Sequence, residues 1–316
     1  MSLKEHIESF FKKTANYIEH TLTTNPATQE QITIIRAELA LYLRSPEKYE
    51  TITSVYHLLS TFNPLARIST KAPEGLYPAF SVAYFFCRMV DDIVDGDSEL
   101  PEGFDSIYKL VDSLKIQVNG KSVEPITDIH LMLRSMMTKL VPRSGDDLIA
   151  EVHIFLDAMI ADYERRTKQT ALSEAELADI NKNSFGPPHT IAFMALNSST
   201  MTSQINDLMQ LEGRIQAVRD LKAELPKGII NIPLEVLNLS DFSKEQLITD
   251  PNLIDNCPII QQWIQDELIW GYRIIEELNE QMKSFDWKGR IVVKFIVGPI
   301  KKFIDKESAK YLNQKI

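Results

Sequence analysis

The chain of 316 residues, 44% hydrophobic and 25% charged, has the make-up of an ordinary globular protein, which excludes disorder as its main state. Its eleven glycines are about half the usual share, too few for the turns of a many-stranded sheet or barrel, and composition therefore favours long helices joined by proline-bearing loops. A formal net charge of −10 argues against nucleic acid as a partner, because binding a phosphate backbone needs a basic footprint.

In chain order, apolar residues recur at helical spacing over 3–23 (Ile7, Phe10, Phe11, Ala15, Ile18) and 29–43 (Ile32, Ile35, Leu39, Leu43), separated by Thr23-Thr24-Asn25-Pro26. The same pattern predicts helices over 48–62, 74–95, 103–117, 126–140, 145–166 and 173–185. Beyond these come 189–224, with an interruption, then 233–238, 243–248, 258–284 and 288–312. Punctuation falls at Gly96 to Pro101, Asn119-Gly120, Pro142 to Gly145 and Pro226-Lys227-Gly228. No alternating run makes a convincing strand, and no repeat or low-complexity linker divides the chain. The expected organisation is an N-terminal helical extension (1–50), one helical domain (51–285) and a basic amphipathic C-terminal segment (286–316) packed on the bundle.

Cys87 and Cys257 lie far apart, Cys87 in an apolar run, which reads as free buried thiols in a reducing compartment. The start, Met1-Ser-Leu-Lys-Glu-His, leads into charged amphipathic sequence rather than a signal peptide, and no apolar run reaches membrane-spanning length. These features give a cytoplasmic expectation. From Lys283 onward the local balance is +6, against −16 for the rest. Apolar and basic residues interleave from Trp287 to Ile304, as in a helix resting on anionic lipid; the alternative is a terminal helix packed on the bundle with its lysines in water. Gly298-Pro299 is expected to interrupt any long helix there.

The most informative stretch runs from Tyr84 to Asp95, where an apolar helix ends in Asp91, Asp92 and Asp95. Residues four apart share a helix face, so Asp91 and Asp95 project side by side with Asp92 adjacent, and like charges at that spacing weaken a helix unless solvent, a basic partner or a metal compensates. Hard oxygen donors suit Mg²⁺, held by one or two carboxylates and a substrate's phosphate oxygens; a solvated helix end is the plain alternative. A second stripe, Gln216, Asp220 and Glu224, repeats the spacing opposite an apolar one (Leu208, Leu211, Ile215, Val218). Taken singly it could be a surface ion-pair stripe with Arg219 and Lys222. Paired across a cavity, the two motifs could hold Mg²⁺ ions around a diphosphate and make it a leaving group.

On these motifs the sequence resembles the squalene and phytoene synthase family of isoprenoid synthases. Pro73 to Asp95 is similar to the family's first aspartate-rich motif with its Tyr-x-x-Cys-Arg run, Leu156 to Asp162 to a segment ending in aspartate, and Arg219-Asp220 through Lys227-Gly228 to Pro233 to the second motif and its loop. Four features depart from the family pattern, the first being Ala158 where a glycine is usual. Ile229 and Asn231 stand where arginine and tyrosine are usual, Gln216 stands for asparagine, and Ile180 to His189 replaces a tyrosine-bearing, glycine-kinked helix with a Pro187-Pro188 pair expected to break or kink it. The resemblance implies an all-α single-domain bundle around a deep apolar cavity. It also implies Mg²⁺-dependent ionisation of an allylic prenyl diphosphate and head-to-head condensation of two such substrates.

Metal ligands are assigned to Asp91, Asp92, Asp95, Gln216, Asp220 and Glu224, and the catalytic acids to Asp91, Asp95, Asp220 and Glu224. Substrate contacts are assigned to Arg88, Arg219, Lys227, Asp162 and Tyr84. Arg88 alternatively neutralises the helix end, and Asp162 alternatively pairs with Arg165 and Arg166. His189 is a structural residue or a base. Phe80, Tyr84, Phe155, Phe185, Phe193 and Met194 line a hydrocarbon tunnel or form plain core. The histidines lack zinc spacing, and no dinucleotide fingerprint supports a reductive step. Two alternatives stay open, cyclisation of a single prenyl diphosphate and a non-catalytic binding or assembly factor.

Overall fold

The computed structural model describes residues 76–140 and 147–313. The helices expected over 3–23, 29–43 and 48–62, the 1–50 extension and the 142–145 loop lie outside the described residues. The described chain forms α1 (Leu76–Val94), α2 (Ile107–Val118), α3 (Asp128–Lys139), α4 (Leu148–Lys168) and α5 (Glu174–Ala195). It continues as α6 (Asn206–Glu224), α7 (Leu234–Leu237), α8 (Lys244–Thr249), α9 (Pro258–Gln281) and α10 (Trp287–Asn313), with no strand among the described residues. The fold is all-α.

Local chemistry sets the boundaries. Asp147 caps α4 by accepting from the backbone N–H groups of Ile149 and Ala150, and Ser173 with Glu176 forms a reciprocal capping box at the start of α5. Gln169 in the left-handed region (φ 50°) ends α4. After α6 a short turn over Leu225–Lys227 closes on Gly228 (φ 83°), where a Cβ would come within 2.9 Å of the Arg166 carbonyl oxygen. That glycine lets the loop after α6 approach the end of α4.

The bundle has two apolar cores. One joins α1 to α4 with part of α5 around Phe86, Leu114, Met132 and Phe155; the other joins α6, α9 and α10 with the rest of α5 around Phe193, Leu211, Ile260 and Val293. Helix α5 packs on α1, α4 and α6 and bridges the halves. It meets α6 closely at Gly213, where a Cβ would overlap the Asn181 side chain at 2.3 Å. A cavity of about 730 Å³ lies between α1, α4, α5 and α6.

Two proline expectations are corrected. Helix α5 continues through Pro187 and Pro188. Gly186 has no Cβ to crowd the following ring, and burial of Gly186, Pro187 and the His189–Ala195 turns outweighs the lost backbone bonds. Likewise α10 runs unbroken through Pro299, anchored by buried Val292, Val293 and Val297 before it and Ile300 and Ile304 after it. Those apolar side chains pack against α6 and α9, leaving Arg290, Lys294, Lys302 and Lys306 exposed. Among the described residues no helix is long and apolar enough to cross a membrane.

Candidate active site

The cavity mouth is built where helices end. The last turn of α1 carries Asp91, with Asp95 in the turn just beyond, its N–H bonded to the Asp91 carbonyl (2.8 Å). Asp220 and Glu224 occupy the last turn of α6, and Arg165, Arg166 and Lys168 the last turn of α4. Cations suit a helix C-terminus and carboxylates oppose its dipole, so the acids of α1 and α6 stand where a helix does not favour them. Asp91, Asp95, Asp162, Gln216, Asp220 and Glu224 all line the cavity.

Their proton affinities register this crowding. Burial first, then Asp95, pushes the Asp91 carboxyl up to about 7, with Arg88 opposing the shift. Asp95 is raised by burial and by Asp162, with Arg166 opposing. Glu224 is pushed up to about 7 by burial, then by Asp220 and, from the other wall, by Asp95; Arg165 and a hydrogen bond from Asn231 oppose the rise. Acids on α1, α4 and α6 therefore share one electrostatic environment.

The cationic groups are mostly committed. Arg88 bonds both Asp91 and Asp92, and Arg219 holds Asp220 at two points (2.9 and 2.5 Å). Lys227 Nζ reaches Asp97 (3.4 Å), linking the loops that follow the two acidic motifs. Behind the mouth, Arg214 makes a two-point pair with buried Glu267 (2.7 Å each) and lies over the Trp270 ring at 4.2 Å. Apolar wall comes from Ala83, Phe155, Met159, Phe185, Pro188, Ala192 and Ile229, with Tyr84 beside Arg88.

The donors fit Mg²⁺ in kind, since carboxylates and the Gln216 carboxamide are hard oxygen ligands. Among the described residues no three acidic, imidazole or thiol groups converge into a closed metal cage.

No protein-family model matches the chain, and no curated protein matches it in sequence. Solved structures match it in fold. A dehydrosqualene synthase in complex with ligand superposes with a TM-score of 0.60 at 12% identity, covering 88% of this chain and 87% of its own. Squalene synthase HpnC from Alicyclobacillus acidocaldarius superposes with a TM-score of 0.61 at 14% identity, covering 88% of this chain and 95% of its own. The chain has the squalene/dehydrosqualene synthase fold.

Within this squalene-synthase fold the expected site residues are brought to one cavity with one exception. Asp92 is not on the wall: a little over a quarter-turn round α1 from Asp91, its carboxylate is buried and bonded to Arg88. It supports Arg88 rather than facing the cavity. Arg88 lines the cavity while pairing with Asp91 and Asp92, and Asp162 lines it within 3.0 Å of Arg165. His189 is buried off the wall, its Nε2 2.6 Å from Glu212 Oε2, and ties α5 to α6. Glu212 in turn accepts from the Gln216 amide (2.9 Å), leaving the Gln216 carboxamide oxygen for the cavity. Phe193 and Met194 are core; Tyr84, Phe155 and Phe185 are wall; the Phe80 side chain lies outside the described residues. Both thiols are free, Cys257 buried and Cys87 half-buried on the wall with its pKa pushed up to about 12 by burial.

Arg165 and Asn231 were not singled out as site residues by sequence. The loop after Gly228 buries Ile230 and Ile232, and Ile229 and Asn231 line the cavity. Asn231 accepts from Arg165 Nη1 (2.9 Å) and donates to Glu224 Oε2. A pair 66 residues apart leaves no periodic trace.

Proposed function

We propose that the protein is a Mg²⁺-dependent isoprenoid synthase. It ionises an allylic prenyl diphosphate, releases diphosphate and forms a carbon–carbon bond, with head-to-head condensation of two prenyl diphosphates as the overall reaction. One observation carries the reading. Two helix ends bearing acid pairs spaced by four residues line one cavity with apolar walls, and burial with neighbouring carboxylates pushes Asp91 and Glu224 up to about 7 against the opposing Arg88 and Arg165. A cation-bridged diphosphate is the ligand that such a mouth suits.

Asp91 and Asp95 on α1, and Gln216, Asp220 and Glu224 on α6, are the groups that would hold Mg²⁺, with Asp162 of α4 on the same cavity. Bound Mg²⁺ supplies charge neutralisation that makes diphosphate a leaving group. The allylic C–O bond breaks with its electron pair departing on the diphosphate, and Arg219 and Lys227 add positive charge at the mouth. Phe155, Phe185, Met159 and Tyr84 keep water from the allylic cation until a substrate double bond attacks it, the charge passing into the new skeleton and leaving as a proton. A second reading, cyclisation of one prenyl diphosphate, is favoured by Ile180, Ile229 and Asn231, which line the cavity at positions that depart from the family pattern.

Purified protein is incubated with Mg²⁺ and, separately, ten-, fifteen- and twenty-carbon prenyl diphosphates, with diphosphate release followed and the extract examined by mass spectrometry. A product of twice the substrate's carbon number establishes condensation, and one of unchanged number establishes cyclisation. Asp91→Asn and Asp220→Asn abolish turnover in either case. No release with any substrate refutes both enzymatic readings and leaves a binding role.

A further inference from the structure

Arg165 is the least satisfied cation at the cavity. Its side chain is only 10% exposed, yet its Nε–H has no hydrogen-bond partner. Nη2 comes within 3.0 Å of Asp162 Oδ1 without the alignment of a hydrogen bond, and that oxygen too is buried without a partner. Proximity without alignment means that the pair is not the two-point clasp that guanidinium and carboxylate make when they are each other's final partner. Arg219 with Asp220 and Arg214 with Glu267 show that clasp within the same cavity. The directional bond that Arg165 does make runs from Nη1 to the neutral oxygen of Asn231. Asn231 is itself held by its donation to Glu224.

A buried cationic donor left unpaired costs free energy, and such groups persist where a ligand completes them. Arg165 lines the cavity beside acids of all three mouth helices, where a diphosphate bridged to those acids by Mg²⁺ would bring phosphate oxygens. Guanidinium matches phosphate oxygens in geometry and stays charged at every working pH.

Resting on the isoprenoid-synthase reading above, we propose that Arg165 is a diphosphate-binding residue that donates its free Nε–H to a phosphate oxygen, and that Asn231 is the positioning residue that aims it. Asn231 fixes one corner of the guanidinium by a neutral acceptor and leaves the Nε–H free for the ligand. Through its other end it ties that aim to Glu224, so that the anion contact and one acid of the opposite wall move as a unit.

The test is titration calorimetry of the full chain with inorganic pyrophosphate at a Mg²⁺ concentration that half-saturates the wild type, comparing wild type, Arg165→Gln, Asn231→Ala and the exposed control Lys302→Gln. Loss of a charge-assisted hydrogen bond weakens pyrophosphate about tenfold to a hundredfold in Arg165→Gln, and Lys302→Gln binds as wild type. Asn231→Ala gives a smaller loss that persists when Mg²⁺ is raised further. If Asn231 acted through Glu224 and the metal, extra Mg²⁺ would restore binding and the positioning role would be overturned. Wild-type affinity in Arg165→Gln overturns the proposal and leaves the isoprenoid-synthase reading standing. Absence of pyrophosphate binding in wild type overturns both. Should Arg165→Gln fail to fold, Arg165→Lys decides the matter: it keeps a charge but has no Nε–H, so full wild-type affinity refutes the assigned contact.

Discussion

Replacing Glu224 with Gln should stabilise the unliganded protein while abolishing its activity. In the folded chain the Glu224 carboxyl is pushed up to about 7, by burial first and by Asp220 and Asp95 next, from an ordinary value of 4.5. A carboxyl whose folded pKa is raised favours the native state while protonated, so its cost is absent below about pH 4.5, grows as pH rises and is complete above pH 7. A shift of this size corresponds to about 3 kcal/mol at most, and solvent screening of a half-buried group at a cavity mouth reduces it to about 1–2 kcal/mol. Gln keeps the shape and the oxygen that accepts from Asn231 but cannot ionise. In a chain of this size the variant should melt about 1.5–3 °C above wild type at pH 8 and level with it at pH 4.5, by circular dichroism without divalent cation. Adding Mg²⁺ with pyrophosphate at pH 8 should raise the wild-type melting temperature more than the variant's. Equal melting at pH 8, or a difference that does not change with pH, would refute the claim that the mouth is electrostatically strained.

Further outcomes follow from the loops and the surface. Gly228→Ala forces an alanine into a left-handed conformation with its Cβ 2.9 Å from the Arg166 carbonyl oxygen, and should cost about 1–3 kcal/mol in denaturant unfolding; an unchanged unfolding midpoint would show that the loop shifts freely. At the α5–α6 crossing, Gly213→Ala should destabilise the bundle through overlap with Asn181, and adding Asn181→Ala should recover most of the loss in a double-mutant cycle. The exposed basic side of α10 should bind vesicles containing phosphatidylserine and not those of phosphatidylcholine alone. Reversing Lys294, Lys302 and Lys306 to Glu should weaken that binding by about a hundredfold or more, and undiminished sedimentation of the variant with vesicles would exclude the surface.

The helical class was legible because the chain states it twice, in scarce glycine and in apolar residues at helical spacing, and the boundaries fall close to the periodic segments except between α5 and α6, where the break expected at 186–188 lies instead at 196–205. The acid stripes were legible for the same reason, since spacing by four fixes a shared face whatever the rest of the molecule does. Which face turns inward was harder to read. Asp92 sits one residue from Asp91 and points elsewhere, and the Arg88–Asp92 spacing of four was its one local sign. The prolines misled because the rule for them is local, while α5 is held by the buried turns from His189 to Ala195 and α10 by buried side chains on both sides of its ring. The pairing of Arg165 with Asn231 was not legible because it joins a helix end to a distant loop.

The layout of charge at the mouth argues for a structure completed by its ligand. Helix α4 ends in Arg165, Arg166 and Lys168, as its dipole favours, whereas α1 and α6 end in acids that their dipoles oppose. Were the acids merely solvated ends, splaying them into water would relieve them. Instead they converge on a cavity where each raises its neighbours' proton affinity. Among the described residues few cations lining the cavity are left to settle them, because Arg88, Arg219 and Arg214 are already clasped and Arg165 is aimed by a neutral amide. Bound metal and diphosphate would settle both kinds of deficit at once, acid to cation and Arg165 to phosphate. Folding stability and ligand affinity would then be linked, the native state gaining free energy in proportion to RT ln(1 + [L]/Kd). On that view the strain that makes Glu224→Gln more stable is the same property that makes the unmodified mouth ready for its substrate.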